Sequence, residues 1–155
     1  RGMVAHLAHR AAAVGLDPER LDIKRPHEQH ADHLGSYAGI DIALDTLPFS
    51  GGRTTQDALW MGVPVITLPG STVQSRYGLS TLSRLGCPEL VAGDEDAFVA
   101  IAAALAGDRE RLTAYRRTLR ERFRASPLMG FAAHTRELEA VYRDAWRRWC
   151  RRERG

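Results

Sequence analysis

Apolar residues follow two different patterns along this chain, one with helical spacing and one of short uninterrupted runs. The short apolar runs, each bounded by turn residues, predict four strands, at 21–23, 40–44, 63–67 and 90–91. Helical spacing predicts helices at 3–14, 31–37, 54–61, 74–85, 94–105, 109–125 and 131–152. Strands and helices therefore alternate up to about residue 93, and the remainder is helical.

This alternation predicts an α/β fold, with right-handed crossover units and a Rossmann-like parallel sheet flanked by helices. We expect a single domain over 1–155, with an α/β core at about 1–107 and C-terminal helices at about 108–155. Four strands make up most of one Rossmann-type half. We therefore expect the sheet to be incomplete on its N-terminal side and the chain to be part of a longer protein.

Composition narrows the class of protein without naming a function. The chain has 155 residues, of which 44% are hydrophobic, and its net charge is only +3. That charge does not indicate a nucleic-acid partner. No apolar run approaches the roughly 18 residues of a membrane span, and Cys87 and Cys150 form no metal or redox spacing. We expect a soluble, cytoplasmic protein without a membrane partner.

The segment Gly51-Gly-Arg-Thr-Thr-Gln-Asp57 carries the most informative chemistry. It follows an apolar strand and opens a predicted helix. Paired glycines let a ligand approach the main chain, and hydroxyls beside unpaired amides at a positive helix end suit a phosphate group. The carboxyl ends of parallel strands, where this loop falls, are the usual ligand crevice of such sheets.

Local physics also allows a purely structural interpretation of the same segment. Thr54 can be an ordinary N-cap, with Asp57 at about the second or third helical position completing a capping box. The segment matches neither a Walker loop nor the G-x-G-x-x-G pattern. Its position in the predicted sheet favours the ligand site.

Histidines and arginines supply two weaker patterns. His27, His30 and His33 recur every third residue, but the spacing is one residue short of a zinc helix, so no metal is expected. Acidic residues are interleaved with the many arginines of the last two helices, which favours solvated faces with helical charge pairs over a polyanion-binding surface.

Several ordered blocks together resemble the protein O-linked N-acetylglucosamine transferase family, including its bacterial members similar to plant SPINDLY. The resemblance covers nearly the whole chain and is specific because the blocks keep their order. The blocks that carry it are 41–46, 51–70, 75–76, 85–92, 126–128 and 137–142.

The resemblance implies the C-terminal lobe of a two-lobed (GT-B type) inverting glycosyltransferase. Such an enzyme transfers N-acetylglucosamine from UDP-GlcNAc to a Ser or Thr hydroxyl of a protein, without a cofactor or metal. The acceptor lobe, the tetratricopeptide repeats and the catalytic lysine of the family precede the region that this chain matches. Lys24 does not match the motif of that lysine, so no catalytic residue is expected in this chain, and the chain alone is expected to be inactive.

The same resemblance implies roles for individual residues in holding the nucleotide sugar. Gly52, Thr54 and Thr55 correspond to the loop that wraps the diphosphate, and Asp57 to the acid that holds the ribose. His33 falls where the family has a nucleotide-contacting histidine. Two further residues at the predicted site depart from the family, His30 where some members have lysine and Arg53 where several have histidine or threonine nearby.

Two other classes of function remain open on the sequence. One is a different nucleotide-sugar enzyme on the same scaffold, such as a GDP-fucose-dependent protein transferase or an epimerase. The other is a non-catalytic module that binds a nucleotide or only mediates protein contacts. Titration with UDP, GDP and their sugars discriminates between them.

Overall fold

The computed structural model describes residues 2–24 and 29–152, and it divides the chain into two units, Arg1–His33 and Leu34–Gly155. The first unit contains helix α1 (Gly2–Ala13) and a short 3-10 turn at Pro18–Arg20. Helix α2 (His30–Ser36) contains the division between the units. All features described below as the sheet, the core and the loop site belong to the second unit.

The sheet of the second unit is small and parallel. Strand β1 (Ala43–Asp45) pairs with strand β2 (Val65–Thr67), and Asp45 lies opposite Thr67 at their carboxyl ends. A parallel bridge between Thr67 and Val91 continues the sheet by one position, with the Ala92 amide donating to the Thr67 carbonyl at 2.9 Å. Helix α3 (Arg53–Trp60) supplies the crossover from β1 to β2.

The sheet is shorter than the sequence predicted. Within the described part of the chain, 21–24 lie in no helix or strand, so the strand predicted at 21–23 is wrong. The strand predicted at 90–91 is reduced to the bridge at Val91, because the preceding residues form a 3-10 turn at Pro88–Leu90. Proline at the start of that turn has no amide to give to a ladder.

Four more helices follow β2, close to their predicted positions: α4 (Tyr77–Leu85), α5 (Glu95–Gly107), α6 (Arg109–Ala125) and α7 (Phe131–Arg152). Local signals set their ends. The Asp94 and Asp108 carboxylates accept the Ala97 and Arg111 amides, at 2.7 and 2.9 Å, and thereby cap α5 and α6. Gly86, at φ +71°, ends α4 in the left-handed conformation that favours glycine.

The hydrophobic core lies between the two strands and the helices packed on them, and β2 is buried along its whole length. Helices α4 and α5 contact β2, and α6 packs on α3 and α5. The large aliphatic side chains that are essentially inaccessible to solvent include Leu59, Val63, Ile66, Leu82, Leu90, Leu105 and Leu119. Burial of this apolar surface is the main force that stabilises the strands and helices between which the loop before α3 lies.

Arginines of α6 reach across to neighbouring main chain, which the sequence did not predict. The Arg116 guanidinium donates to the carbonyls of Tyr37 at 3.2 Å, Met61 at 3.1 Å, and Ile40. Arg120 donates from Nε to the Trp60 carbonyl at 2.8 Å. Because helix ends and turns leave carbonyls without intrahelical partners, a helix rich in arginine can satisfy them from outside.

Helical charge pairs, the predicted arrangement, do occur elsewhere on the last two helices. Arg143 pairs with Glu139 at 3.0 Å, and Arg124 with Glu121 at 3.6 Å. The interpretation as solvated faces therefore holds for those pairs and is wrong for Arg116, which is half-buried; Arg120 is exposed although it binds the Trp60 carbonyl. Sequence spacing along one helix does not reveal a carbonyl that another element brings alongside.

A buried tyrosine links α6 to the turn at Pro88–Leu90. The Tyr115 hydroxyl donates to Glu89 Oε1 at 2.7 Å and accepts from Arg111 at 3.3 Å. Burial, and then the hydrogen bond to Glu89, raise the pKa of Tyr115 to about 12. Since the folded pKa lies above the ordinary value of 10.0, the stabilisation from the protonated hydroxyl is complete below about pH 10 and is lost as the pH rises toward 12.

We expect Tyr115→Phe to lower the free energy of unfolding by about 1 kcal/mol at pH 7 and to reduce its decline above pH 10. Urea unfolding at pH 7, 9, 10 and 11 measures both effects. Tyr142→Phe is the matched control, because Tyr142 is an exposed residue of α7. An alkaline decline that is as steep in Tyr115→Phe as in the wild type would contradict the assignment.

Candidate functional site

Helix α3 begins directly after the Gly-Gly loop, and its N-cap residue is a glycine, which has no side chain to cap the helix. Arg53 is its first residue, and Gly52 occupies the N-cap position without a capping hydrogen bond from a side chain. Thr54 is therefore the second helical residue and Asp57 the fifth. The structural interpretation, with Thr54 as N-cap and Asp57 completing a capping box, is wrong because the helix starts two residues earlier than it requires.

The two threonines line a cavity of about 280 Å³ beside the end of β1. Thr54 is exposed, whereas Thr55 is buried at 4% exposure. The first-turn amides of a helix have no intrahelical acceptors, and they carry the positive end of the helix dipole. The cavity therefore combines hydroxyl groups with the end of a helix that favours an anion.

Only glycine fits at position 51 of this loop, because a Cβ atom has no room there. A Cβ at this position would lie 2.6 Å from Thr54 Oγ1 and 2.9 Å from Thr55 Oγ1. Both hydroxyls thus approach the main chain at Gly51 more closely than any other residue would permit. The sequence predicted that a ligand approaches the main chain at the paired glycines, and this stays a prediction; the close approach seen here is that of the loop's own threonines.

Tyr37, another residue of the same cavity, holds the first turn of α3. This tyrosine is 7% exposed, lines the cavity, and donates from its hydroxyl to the Thr54 carbonyl at 3.2 Å. Burial, and then the negative charge of Asp57, raise the pKa of Tyr37 above its ordinary value. The hydroxyl therefore stays protonated, and remains a donor, over the physiological pH range.

A buried carboxylate lies behind the loop. Asp45, the last residue of β1, accepts the Gly51 amide at Oδ1 (2.6 Å) and the Thr67 hydroxyl at Oδ2 (2.7 Å). Oδ2 also accepts the Ser50 hydroxyl, whose oxygen in turn accepts the Gly78 amide at 2.8 Å. These bonds join the ends of both strands, the loop and the start of α4.

The remaining loop residues face a second cavity. Gly52, Arg53 and Asp57 line a groove of about 650 Å³, together with Arg84 and other residues of α4. Arg53 Nε and Asp57 Oδ2 are 3.7 Å apart, at positions i and i+4 of α3. The predicted site residues of this loop are thus adjacent in the fold, but they divide between two cavities.

The histidines can be placed only in part. His30 and His33 lie on α2 with stacked rings, their centroids 6.0 Å apart, and both belong to the first unit of the chain. His27 lies outside the described residues. Over 2–24 and 29–152, no group of three histidine, cysteine, aspartate or glutamate side chains is arranged to hold a metal. The predicted nucleotide contacts of His30 and His33 stay predictions.

Sequence reasoning missed the residues behind the loop. Asp45, Ser50, Thr67 and Gly78 were not predicted as site residues, and neither was Tyr37. One signal was available, since Asp45 directly follows, and Thr67 ends, an apolar run that was predicted as a parallel strand. Polar residues at the ends of adjacent parallel strands meet at one edge of the sheet.

Comparison with known proteins assigns this arrangement to the glycosyltransferases. The fold matches a mutant of the Thermobaculum terrenum O-GlcNAc transferase, with a TM-score of 0.86 and 38% identity over 93% of this chain and 28% of that one. The family model described as Glycosyl transferase family 41 matches residues 3–138. The chain belongs to glycosyl transferase family 41.

Curated relatives agree with this family and extend well beyond the chain. It is 42% identical over 137 residues to a probable UDP-N-acetylglucosamine–peptide N-acetylglucosaminyltransferase SPINDLY of Solanum lycopersicum. It is 30% identical over 144 residues to the UDP-N-acetylglucosamine–peptide N-acetylglucosaminyltransferase of Caenorhabditis elegans. The matches cover 88% and 93% of this chain, but only 15% and 12% of those relatives.

Proposed function

We propose that this chain is the donor-binding part of an inverting protein O-glycosyltransferase of the GT-B type. The whole protein would transfer N-acetylglucosamine from UDP-GlcNAc to Ser or Thr hydroxyls. The observation that carries the proposal is the first turn of α3, where Thr54 and Thr55 line a cavity at a helix N-terminus whose N-cap residue is glycine. The names of the relatives supply the donor and the acceptor class.

The role of these residues would be electrostatic. As the bond from the sugar to UDP breaks, negative charge grows on the diphosphate. Preorganised donors at the end of α3 would stabilise that charge without having to reorganise. Asp57 would hold the ribose, with Arg53 beside it. The nucleotide contacts proposed for His30 and His33 rest on the resemblance to the family alone. No cofactor or metal takes part in this proposal.

Catalysis would need the rest of the family's catalytic region, because none of the residues assigned here attacks, protonates or deprotonates a substrate. We therefore expect the 155-residue chain to bind UDP without transferring sugar to a peptide. Both cysteines are free thiols, which suits the proposed cytoplasmic setting. Over the residues that the structure describes, no helix is long and apolar enough to cross a bilayer.

Calorimetric titration of the chain with UDP, UDP-GlcNAc, GDP and GDP-fucose tests the proposal. We expect UDP and UDP-GlcNAc to bind more tightly than the guanine nucleotides. Thr54→Val should weaken UDP binding about tenfold, since it removes one hydrogen bond to a charged group and leaves the side-chain shape. Thr113→Val, at an exposed threonine of α6, is the matched control.

Each alternative predicts a different titration. Tighter binding of GDP-fucose would overturn the choice of donor in favour of a GDP-fucose-dependent protein transferase. Absence of binding to all four ligands would overturn the donor-binding role and leave an interaction module. Equal losses of UDP affinity in Thr54→Val and Thr113→Val would show that the ligand does not bind at the first turn of α3.

A further inference from the structure

The conformation of the loop at 46–52 depends on one buried carboxylate. Asp45 is 7% exposed and receives three hydrogen bonds, of which two come from the loop: the Gly51 amide and the Ser50 hydroxyl. A buried charged group is costly unless donors surround it, so these bonds strongly favour the loop geometry that provides them. The hydrogen bonds to the buried Asp45 carboxylate therefore determine the conformation of the loop.

The same bonds extend beyond the loop into rigid elements. Ser50 Oγ accepts the Gly78 amide of α4, and the Ser50 amide donates to the Gln74 carbonyl at 3.2 Å. Asp45 itself ends β1, and its third donor, Thr67, ends β2. The loop residue Ser50 is therefore fixed to two strands and a helix before any ligand is present.

This arrangement has a consequence for an anion at the first turn of α3. The carboxylate is a poor neighbour for a diphosphate, and Asp45 lines the cavity, but donors from the fold engage both of its oxygens. By binding the Gly51 amide, it places Gly51 against the hydroxyls of Thr54 and Thr55, where a Cβ would not fit. Preorganisation of this kind lowers the ordering cost of binding.

We propose that Asp45 is a positioning residue, whose carboxylate fixes the loop at 46–52 in the conformation that receives the donor diphosphate. The proposal rests on the proposed function for its ligand. Its core, that Asp45 and Ser50 order the loop, concerns the chain alone and is measurable without a nucleotide. Neither residue has a donor to spare for the diphosphate, so both act through the loop.

The chain offers a matched set of variants for the test. Asp45→Asn and Ser50→Ala each remove a bond that holds the loop, whereas Thr67→Val removes a bond to the same carboxylate from β2 and leaves both loop bonds. Amide hydrogen exchange at 49–53 and calorimetric titration with UDP are measured on the 155-residue chain. Urea unfolding of every variant gives the loss of global stability for comparison.

We expect Asp45→Asn and Ser50→Ala to speed amide exchange at 49–53 about tenfold and to weaken UDP binding about tenfold. In Thr67→Val, exchange at 49–53 and UDP affinity should both stay within about twofold of the wild type, although it loses a buried hydrogen bond. Loop ordering and affinity should therefore follow the loop bonds and not the global stability.

Two results would overturn the positioning role. One is Thr67→Val changing exchange and affinity as much as Ser50→Ala, which would make the cluster purely structural. The other is unchanged exchange at 49–53 in both Asp45→Asn and Ser50→Ala. If the wild-type chain binds no UDP, the proposed function fails, and the exchange pattern still decides whether Asp45 orders the loop.

Discussion

Gly78→Ala is expected to lower the free energy of unfolding by about 3 kcal/mol, which for a chain of this size corresponds to a melting temperature roughly 6–12 °C lower. A Cβ at this buried helical position would run into Asp45 Oδ2 and Thr67 Oγ1, and into Thr67 Cβ at 2.9 Å. The added methyl group has no room unless the carboxylate gives up its donors. Urea unfolding and thermal melting measure the loss.

Gly107→Ala is the control for this prediction. Gly107 is also a helical glycine, at the end of α5, and a Cβ there would meet nothing within 4 Å. The Gly107→Ala substitution should leave the free energy of unfolding unchanged or raise it slightly, because alanine has a higher helix propensity than glycine. Equal stability of the two variants would show that the space at Gly78 is not limiting.

Arg116→Ala is the second substitution expected to have a large effect, with a loss of about 3 kcal/mol in the free energy of unfolding. The guanidinium donates to three carbonyls, which belong to Tyr37, Ile40 and Met61. Truncation removes a charged donor from all three at once and separates α6 from the elements that precede β1 and follow α3. Chemical denaturation monitored by tryptophan fluorescence measures the loss.

Two further variants separate the geometry of Arg116 from its charge. Arg116→Lys should recover less than half of the stability, since an ammonium is a compact point charge and cannot span three acceptors as a planar guanidinium does. Arg117→Ala, at the exposed neighbouring position, should change stability by less than about 0.5 kcal/mol. If Arg116→Lys had the full stability of the wild type, the positive charge of Arg116 would be sufficient and the shape of the guanidinium would not matter.

The fold was predictable where one element carries its own signal. The helical periods at 109–125 and 131–152 match the observed helices, because amphipathic spacing and caps such as Asp108 are local properties. The strand predicted at 21–23 was not observed, since a short apolar run does not specify a partner to pair with. Pairing depends on the whole sheet, which a short window cannot show.

The candidate site was predictable in outline for the same reason. The glycines and threonines at 51–55 indicated a loop that opens a helix, and the structure places them there. Asp45, Ser50 and Gly78 are separated by up to 33 positions in the chain and meet only through the fold, so no local pattern connected them. The helix start at Arg53 also depends on that fold, because Gly51 is held by Asp45.

The register of the two strands gives the Asp45–Thr67 pair a further importance. With only three pairs in the ladder, the backbone alone discriminates weakly between this pairing and one shifted by a single residue. Such a shift would set Asp45 against Ile66 or Leu68 and leave the carboxylate without the Thr67 hydroxyl as a donor in a buried layer. The hydrogen bond between the carboxylate and the threonine therefore favours the observed register over shifted pairings. The other residues paired in the two strands are apolar and give no such preference.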